Sequence, residues 1–145
     1  MTCTFFGHRV VTNDIKTRLR AVITDLIVHH AVNVFYVGNQ GGFDEIVSDI
    51  LRELQTIYPI TYAVVLAYFP IERDGNGTPN PPDTIYPEGL EAVPKRFAIC
   101  YRNRWMLERA DYVVTYVTHR GGSGAARYQS LAERRGKKVI FLGGA

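Results

Sequence analysis

The chain has 145 residues, of which 46% are hydrophobic and 21% charged, and a formal net charge of +3. These values fit one globular domain and exclude a disordered or collagen-like chain. Two cysteines, Cys3 and Cys100, are too few for a disulfide framework, so we expect a reducing, cytoplasmic location. No apolar stretch is long enough for a transmembrane helix, and we expect neither a signal peptide nor a membrane partner.

Strand-like and helix-like segments alternate along the chain. Short apolar, β-branched runs predict strands, and apolar residues at helical spacing predict amphipathic helices. In chain order the predicted elements are strand 2–6, helix 13–30, strand 33–37, helix 44–57, strand 60–67, helix 95–109, strand 111–117, helix 123–135 and strand 138–142. Thr12 or Asn13 is expected to cap the first helix, with Asp14 in its first turn. Residues 70–94 hold six of the seven prolines and are predicted to be mostly loop.

This alternation predicts an α/β fold with a Rossmann-like, doubly wound parallel sheet of five strands in a single domain over 1–145. The expected strand order is 3-2-1-4-5, which makes strands 1 and 4 neighbours where the winding reverses. Ligands in such sheets bind beyond the carboxyl ends of the strands at that switch point. We therefore searched the residues that follow each strand for a site.

Three predicted strands end in residues suited to an anion. Strand 1 ends in Gly7-His8-Arg9, while strands 2 and 4 run into glycine-rich turns over 38–44 and 118–124. Such turns at helix N-termini present backbone N–H groups to phosphate, and flanking arginines add charged hydrogen bonds. The alternative is that these glycines only make tight turns. Neither turn matches a dinucleotide fingerprint or a P-loop.

The predicted helix before strand 4 contains an unusual run of residues, Tyr101-Arg102-Asn103-Arg104-Trp105. Arg102 and Asn103 could be presented to a ligand from this helix. Alternatively, the helix is charged on its surface and places Trp105 in the core.

The remaining polar residues give weaker signals. Asp44 either favours the helix dipole or contacts a ribose hydroxyl. His8 and His119 lack a third ligand at metal-binding spacing, so we expect no metal and no cofactor.

The order of these motifs resembles the SLOG superfamily, and within it the YpsA-like branch. The motifs are FFGHR, FYVGNQGGFD, YRNRWMLERADYVV and GGSGAARYQSLAERRGKKVI. The superfamily also includes the lonely-guy phosphoribohydrolases and DNA-processing protein A. The resemblance implies a Rossmann-like fold and a ligand derived from nucleotides. Lonely-guy enzymes use the glutamate of a PGGxGTxxE motif, but the corresponding position here is Tyr128, which supplies no carboxylate at neutral pH.

Three functions follow as hypotheses. The first is binding, sensing or sequestration of a nucleotide or nucleotide-derived signalling ligand. The second is a nucleotide N-glycosidase with a non-standard acid, for which Asp44 is best placed and Glu88 or Glu91 could reach over from the proline-rich loop. The third, less favoured, is a nucleic-acid-binding module whose basic face would consist of Arg102, Arg104, Arg109, Arg120 and Arg127. We also expect a homo-oligomer, because no helix covers the edge of the last strand.

The predicted ligand-binding residues all follow strands 1, 2 and 4 or lie on the helix before strand 4. They are Gly7, His8, Arg9, Gly38, Gln40, Gly41, Gly42, Asp44, Arg102, Asn103, Arg104, Thr118, His119, Arg120, Gly121, Gly122, Ser123 and Gly124.

Overall fold

Parallel strands form one sheet in the computed structural model of the chain, which describes residues 1–68, 84–118 and 124–143. The strands are β1 (Thr2–Gly7), β2 (Val34–Val37), β3 (Thr61–Val65), β4 (Thr84–Ile85), β5 (Tyr112–Tyr116) and β6 (Lys138–Phe141). The helices are α1 (Ile15–His30), α2 (Gly42–Leu54), α3 (Ala98–Arg109) and α4 (Gly124–Arg134). The strand order is β4-β3-β2-β1-β5-β6, and every neighbouring pair is parallel.

The predicted Rossmann-like α/β fold is confirmed, but the predicted number of five strands is wrong. The five expected strands lie in the expected order, and β4 is added beside β3 at the edge of the sheet. β4 lies within the segment 70–94 that was predicted to be mostly loop. Thr84 and Ile85 pair with the otherwise open edge of β3, and the Leu66 N–H donates to the Ile85 carbonyl at 2.8 Å. β4 forms only through this pairing. A strand of two residues is too short to show a periodic pattern in the sequence.

Three helix starts differ from the predicted ones. Asp14 is the N-cap residue of α1, in place of Thr12 or Asn13, and the Thr12 hydroxyl donates a hydrogen bond to its carboxylate. The second helix starts at Gly42, two residues early, because Gly41 adopts a positive φ of 100° at the N-cap position. The segment 95–97 forms a 3-10 turn that precedes α3.

Helices cover both faces of the sheet, as a doubly wound fold requires. On one face α1 and α2 pack against β1 and β2, with Leu19, Phe35 and Ile50 fully buried. On the other face α3 and α4 pack through Met106 and Ala132 against β5 and the end of β1. No helix within the described residues is long and apolar enough to cross a membrane.

The turns after β1 and β2 approach each other too closely for larger side chains. A Cβ atom at Gly7 would lie 2.3 Å from two carbons of the fully buried Phe43 ring. The Gly42 N–H donates to the Arg9 carbonyl at 2.7 Å, and a Cβ at Gly41 would lie 2.6 Å from the Arg9 Cα. The lack of a side chain at these glycines therefore allows the carboxyl ends of β1 and β2 to lie close together.

We expect Gly7→Ala to lower the free energy of unfolding by about 1–3 kcal/mol, because the added methyl group overpacks the contact with Phe43. Urea denaturation measures this loss. Gly124→Ala is the matched control, since no atom lies within 4 Å of a Cβ placed there, and it is expected to change stability by less than about 0.5 kcal/mol. Equal stability of the two variants would contradict the proposed close approach.

Candidate functional site

A cleft of about 330 Å³ lies beyond the carboxyl ends of the central strands. Its walls come from the end of β1, the turn into α2, one face of α3 and the first turn of α4. The lining residues are Phe5, Phe6, Gly7, His8, Arg9, Gln40, Asp44, Ile99, Arg102, Asn103, Met106, Gly124, Ala125 and Tyr128. This is the switch point between β1 and β5 where the sequence predicted a site, and its volume falls in the usual range of about 300–1,000 Å³ for ligand pockets.

Arg102 forms the buried, positively charged part of the cleft. Its side chain is only 2% exposed. Nε donates to the Asn103 Oδ1 at 2.8 Å, and one terminal nitrogen donates to the Val65 carbonyl at 3.0 Å and to the Asn39 Oδ1 at 3.3 Å. Burial lowers the pKa of Arg102, and the nearby Asp44 carboxylate opposes that change. Of the two sequence alternatives, the structure places Arg102 in the cleft and not on the solvent-exposed surface.

Asp44 lies across from Arg102 in the first turn of α2. One carboxylate oxygen accepts the Gln40 N–H at 3.0 Å. Burial raises the pKa of Asp44 to about 6, although the Gln40 hydrogen bond and the Arg102 charge both act to lower it. Asp44 and Arg102 form no direct ion pair among the described salt bridges. Asp44 is therefore a carboxyl group that gains and loses its proton close to neutral pH.

Gly38 separates these two charged side chains. A Cβ at this position would lie 2.8 Å from both the Asp44 Oδ2 and an Arg102 terminal nitrogen. Any larger residue would thus displace one of the two charged groups. Gly38 is needed for the charge arrangement, a role that neither sequence alternative, a phosphate-binding turn or a simple tight turn, predicted.

His8 connects the two strands at the switch point. Its Nε2 accepts the backbone N–H of Thr118 at 2.9 Å, which joins the end of β1 to the end of β5. The His8 ring also packs edge-on against Tyr116, with ring centroids 6.0 Å apart. Because Nε2 is the acceptor in this bond, it carries no proton in this arrangement.

The glycines of the predicted site have different surroundings. Gly41 and Gly42 are occupied by their contacts with the β1 end and do not line the cleft. Gly124 does line it and begins α4, with open space around its Cβ position. Backbone N–H groups in the first turn of a helix have no partner within the helix. The first turn of α4 borders the cleft through Gly124 and Ala125, as the first turn of α2 does through Asp44.

Several predicted residues lie elsewhere. Arg104 is exposed and lines a separate groove on α3 together with Glu88, Trp105 and Arg109. The structure therefore brings neither Arg104 nor Glu88 to the cleft. The expected basic face is also interrupted, because Arg102 is buried and the groove that holds Arg104 and Arg109 contains Glu88 and Glu108.

Part of the predicted site falls outside the described ranges. These residues are His119, Arg120, Gly121, Gly122 and Ser123. Thr118, immediately before them, is exposed at the end of β5.

The sequence analysis did not place Tyr128 in the site. This side chain is 3% exposed and lines the cleft, and its hydroxyl has no hydrogen-bond partner among the described residues. Burial raises the pKa of Tyr128 to about 12. Two sequence signals point to it: Tyr128 stands at the glutamate position of the lonely-guy motif, and it follows Gly124 by four residues and so lies on the same helix face. No sequence signal identified the partners of Arg102, which are the Val65 carbonyl at the end of β3 and the Asn39 side chain after β2.

Comparison of the sequence with models of protein families and with curated proteins finds no match. Within the described parts of the chain, no three His, Cys, Asp or Glu side chains are grouped so that they could hold a metal ion. The residues that line the cleft are therefore what indicates its chemistry.

The raised pKa of Asp44 predicts a specific pH dependence of stability. Because folding raises this pKa from its ordinary value of 3.8 to about 6, the folded protein binds the proton more tightly than the unfolded chain. The free energy of unfolding should then fall as pH rises from about 4 to about 6, by roughly 3 kcal/mol. Urea denaturation of wild type and Asp44→Asn across this range isolates the contribution, which the variant lacks. Glu45→Gln, an exposed neighbour on α2, should keep the wild-type slope, and parallel curves for wild type and Asp44→Asn would contradict the assignment.

Proposed function

We propose that the protein binds a nucleotide or a nucleotide-derived signalling ligand in the cleft between β1, α3 and α4. The observation that carries this proposal is the buried Arg102 guanidinium beside the open N-terminus of α4, at the switch point of the sheet. A fixed positive charge and the N-terminus of a helix, where the dipole is positive, together favour an anion such as phosphate. Such a protein would act as a sensor or would sequester its ligand.

The other groups of the cleft fit the remainder of a nucleotide. Asp44 offers a hydrogen-bond acceptor to ribose hydroxyls on the side opposite Arg102. Phe6 and Met106 supply apolar surface for a base. The motif resemblance to the SLOG superfamily supports the same ligand class from the sequence.

The proposal predicts that a negative charge at the start of α4 abolishes binding without harming the fold. Gly124→Asp adds a carboxylate in open space, where it favours the helix dipole but repels an anionic ligand. We expect affinity to fall by at least about tenfold for a phosphorylated ligand. Isothermal titration calorimetry against nucleoside monophosphates, cyclic nucleotides and ADP-ribose derivatives measures it.

Gly124→Asn is the matched control, because it has nearly the same shape without the charge. Its affinity should stay much closer to that of the wild type. If the wild-type protein binds none of these compounds more tightly than millimolar, the proposed function is wrong.

A second candidate function rests on Asp44. A carboxyl group with a pKa of about 6 is still protonated in a fraction of the molecules near neutral pH, and this protonated form can act as a general acid. In a nucleotide N-glycosidase it would protonate the leaving base while water adds to the sugar carbon, which releases the free base and ribose 5-phosphate. Of the two glutamates that the sequence suggested, neither Glu88 nor Glu91 lines the cleft, and Glu88 lies in the other groove.

This candidate predicts base release from a nucleoside monophosphate, detected by chromatography. The release should disappear in Asp44→Asn and persist in Glu45→Gln. If neither wild type nor control releases base from any nucleoside monophosphate, the catalytic candidate is excluded while the binding proposal stands.

The expected homo-oligomer and cytoplasmic location remain predictions. In the described residues β6 pairs only with β5, and Phe141 on this edge strand is 53% exposed. An apolar residue on an open strand edge favours association with a partner. The third hypothesis, a nucleic-acid-binding module, loses support among the described residues, because Arg102 is buried and Glu88 and Glu108 share the groove of Arg104 and Arg109.

A further inference from the structure

Tyr128 carries the only buried side-chain oxygen in the described ranges that lacks a hydrogen-bond partner. Buried polar groups nearly always have a hydrogen-bond partner. A buried hydroxyl without one has lost its hydrogen bonds to water and has gained none in return, which is unfavourable. The Cys100 thiol and the Asn103 amide lie beside this hydroxyl, but neither forms a hydrogen bond of normal geometry with it. The same side chain lines the cleft, and the hydroxyl itself is covered by its neighbours, so a ligand in the cleft would supply the missing partner after a small shift of those neighbours.

The Tyr128 ring is held rigidly in the wall of the cleft. It stacks on Phe6 with ring centroids 5.1 Å apart and an interplanar angle of 20°. It also belongs to the buried cluster that includes Met106 and Leu107. Side chains on a helix lean toward its N-terminus, which carries the ring toward Gly124 at the start of α4. A fixed hydroxyl loses little conformational entropy when it binds a partner.

Both polar groups at this position are hydrogen-bond donors. The Tyr128 phenol keeps its proton at neutral pH, because burial raises its pKa to about 12. The Asn103 Oδ1 already accepts from the Arg102 Nε, an atom that can only donate. That bond fixes the orientation of the Asn103 amide and leaves its NH₂ group as the second donor.

We propose that the Tyr128 hydroxyl and the Asn103 amide form a donor pair that binds one acceptor oxygen of the ligand. The pair makes the cleft selective for a ligand with a phosphoryl or carbonyl oxygen at this point, while Asp44 accepts hydrogen bonds on the opposite side. This inference rests on the proposed function and goes beyond it, because it assigns a specificity-determining residue and the polarity in which a ligand lies.

Tyr128→Phe tests the donor pair with the smallest possible change. It removes the hydroxyl and keeps the ring, so the stacking on Phe6 persists. Because the hydroxyl has no partner in the free protein, the melting temperature without ligand should stay the same or rise. Affinity for a ligand that uses the pair should fall roughly five- to tenfold.

Calorimetry with three probes distinguishes the source of the oxygen. Inosine 5′-monophosphate has a base carbonyl where adenosine 5′-monophosphate has an amine, and ribose 5-phosphate has no base. Loss of affinity for all three in Tyr128→Phe identifies a phosphoryl oxygen, whereas loss for the inosine compound alone identifies a base carbonyl. Tyr112→Phe is the matched control, because Tyr112 is also buried but does not line the cleft, and it should leave all three affinities unchanged.

Two results would overturn the inference and leave the proposed function intact. One is unchanged affinity of Tyr128→Phe for every probe that the wild type binds. The other is a clear drop in its melting temperature without ligand, which would mean that the hydroxyl is already satisfied. If the wild type binds no probe, both the proposed function and this inference are wrong.

Discussion

The buried guanidinium of Arg102 is the interaction on which the site depends. It reaches from α3 to the Val65 carbonyl at the end of β3 and to Asn39 after β2, so it joins three elements at the carboxyl edge of the sheet. Taking a charge out of water costs several kcal/mol, and its hydrogen bonds and the facing carboxylate of Asp44 offset only part of that cost. Gly38 leaves the space that both charged groups occupy, because it has no side chain at this point.

The cleft has an internal polarity that follows from these contacts. Hydrogen-bond donors lie on the two helices that cover one face of the sheet. They belong to Arg102, Asn103, Tyr128 and the first turn of α4. Asp44 offers an acceptor from the turn that leads to the opposite face. A ligand with acceptor oxygens at one end and hydroxyl groups at the other matches this arrangement, and a sugar phosphate has both.

The fold could be predicted from the sequence because its signals are local. Each of the five longer strands is an apolar run of its own, each helix shows helical spacing, and parallel sheets restrict the order in which such units are connected. β4 could not be predicted, because Thr84 and Ile85 form a strand only by pairing with β3. The position of the site follows from the topology, and the sequence predicts four of the residues that line it: Arg9, Asp44, Arg102 and Asn103. The roles within it were not predictable, since they depend on burial: Arg102 and Arg104 are two residues apart, and only the first enters the cleft.

An NMR titration of ¹⁵N-labelled protein with inosine 5′-monophosphate tests the central claim most directly. The account predicts that the largest chemical-shift changes occur at the backbone amides of Gly38 and Gly124, the side-chain amide of Asn103 and the Nε of Arg102, with little change along α1. Shift changes confined to the exposed groove on α1 around Ala21 and Val28, or no change at millimolar nucleotide, would contradict it.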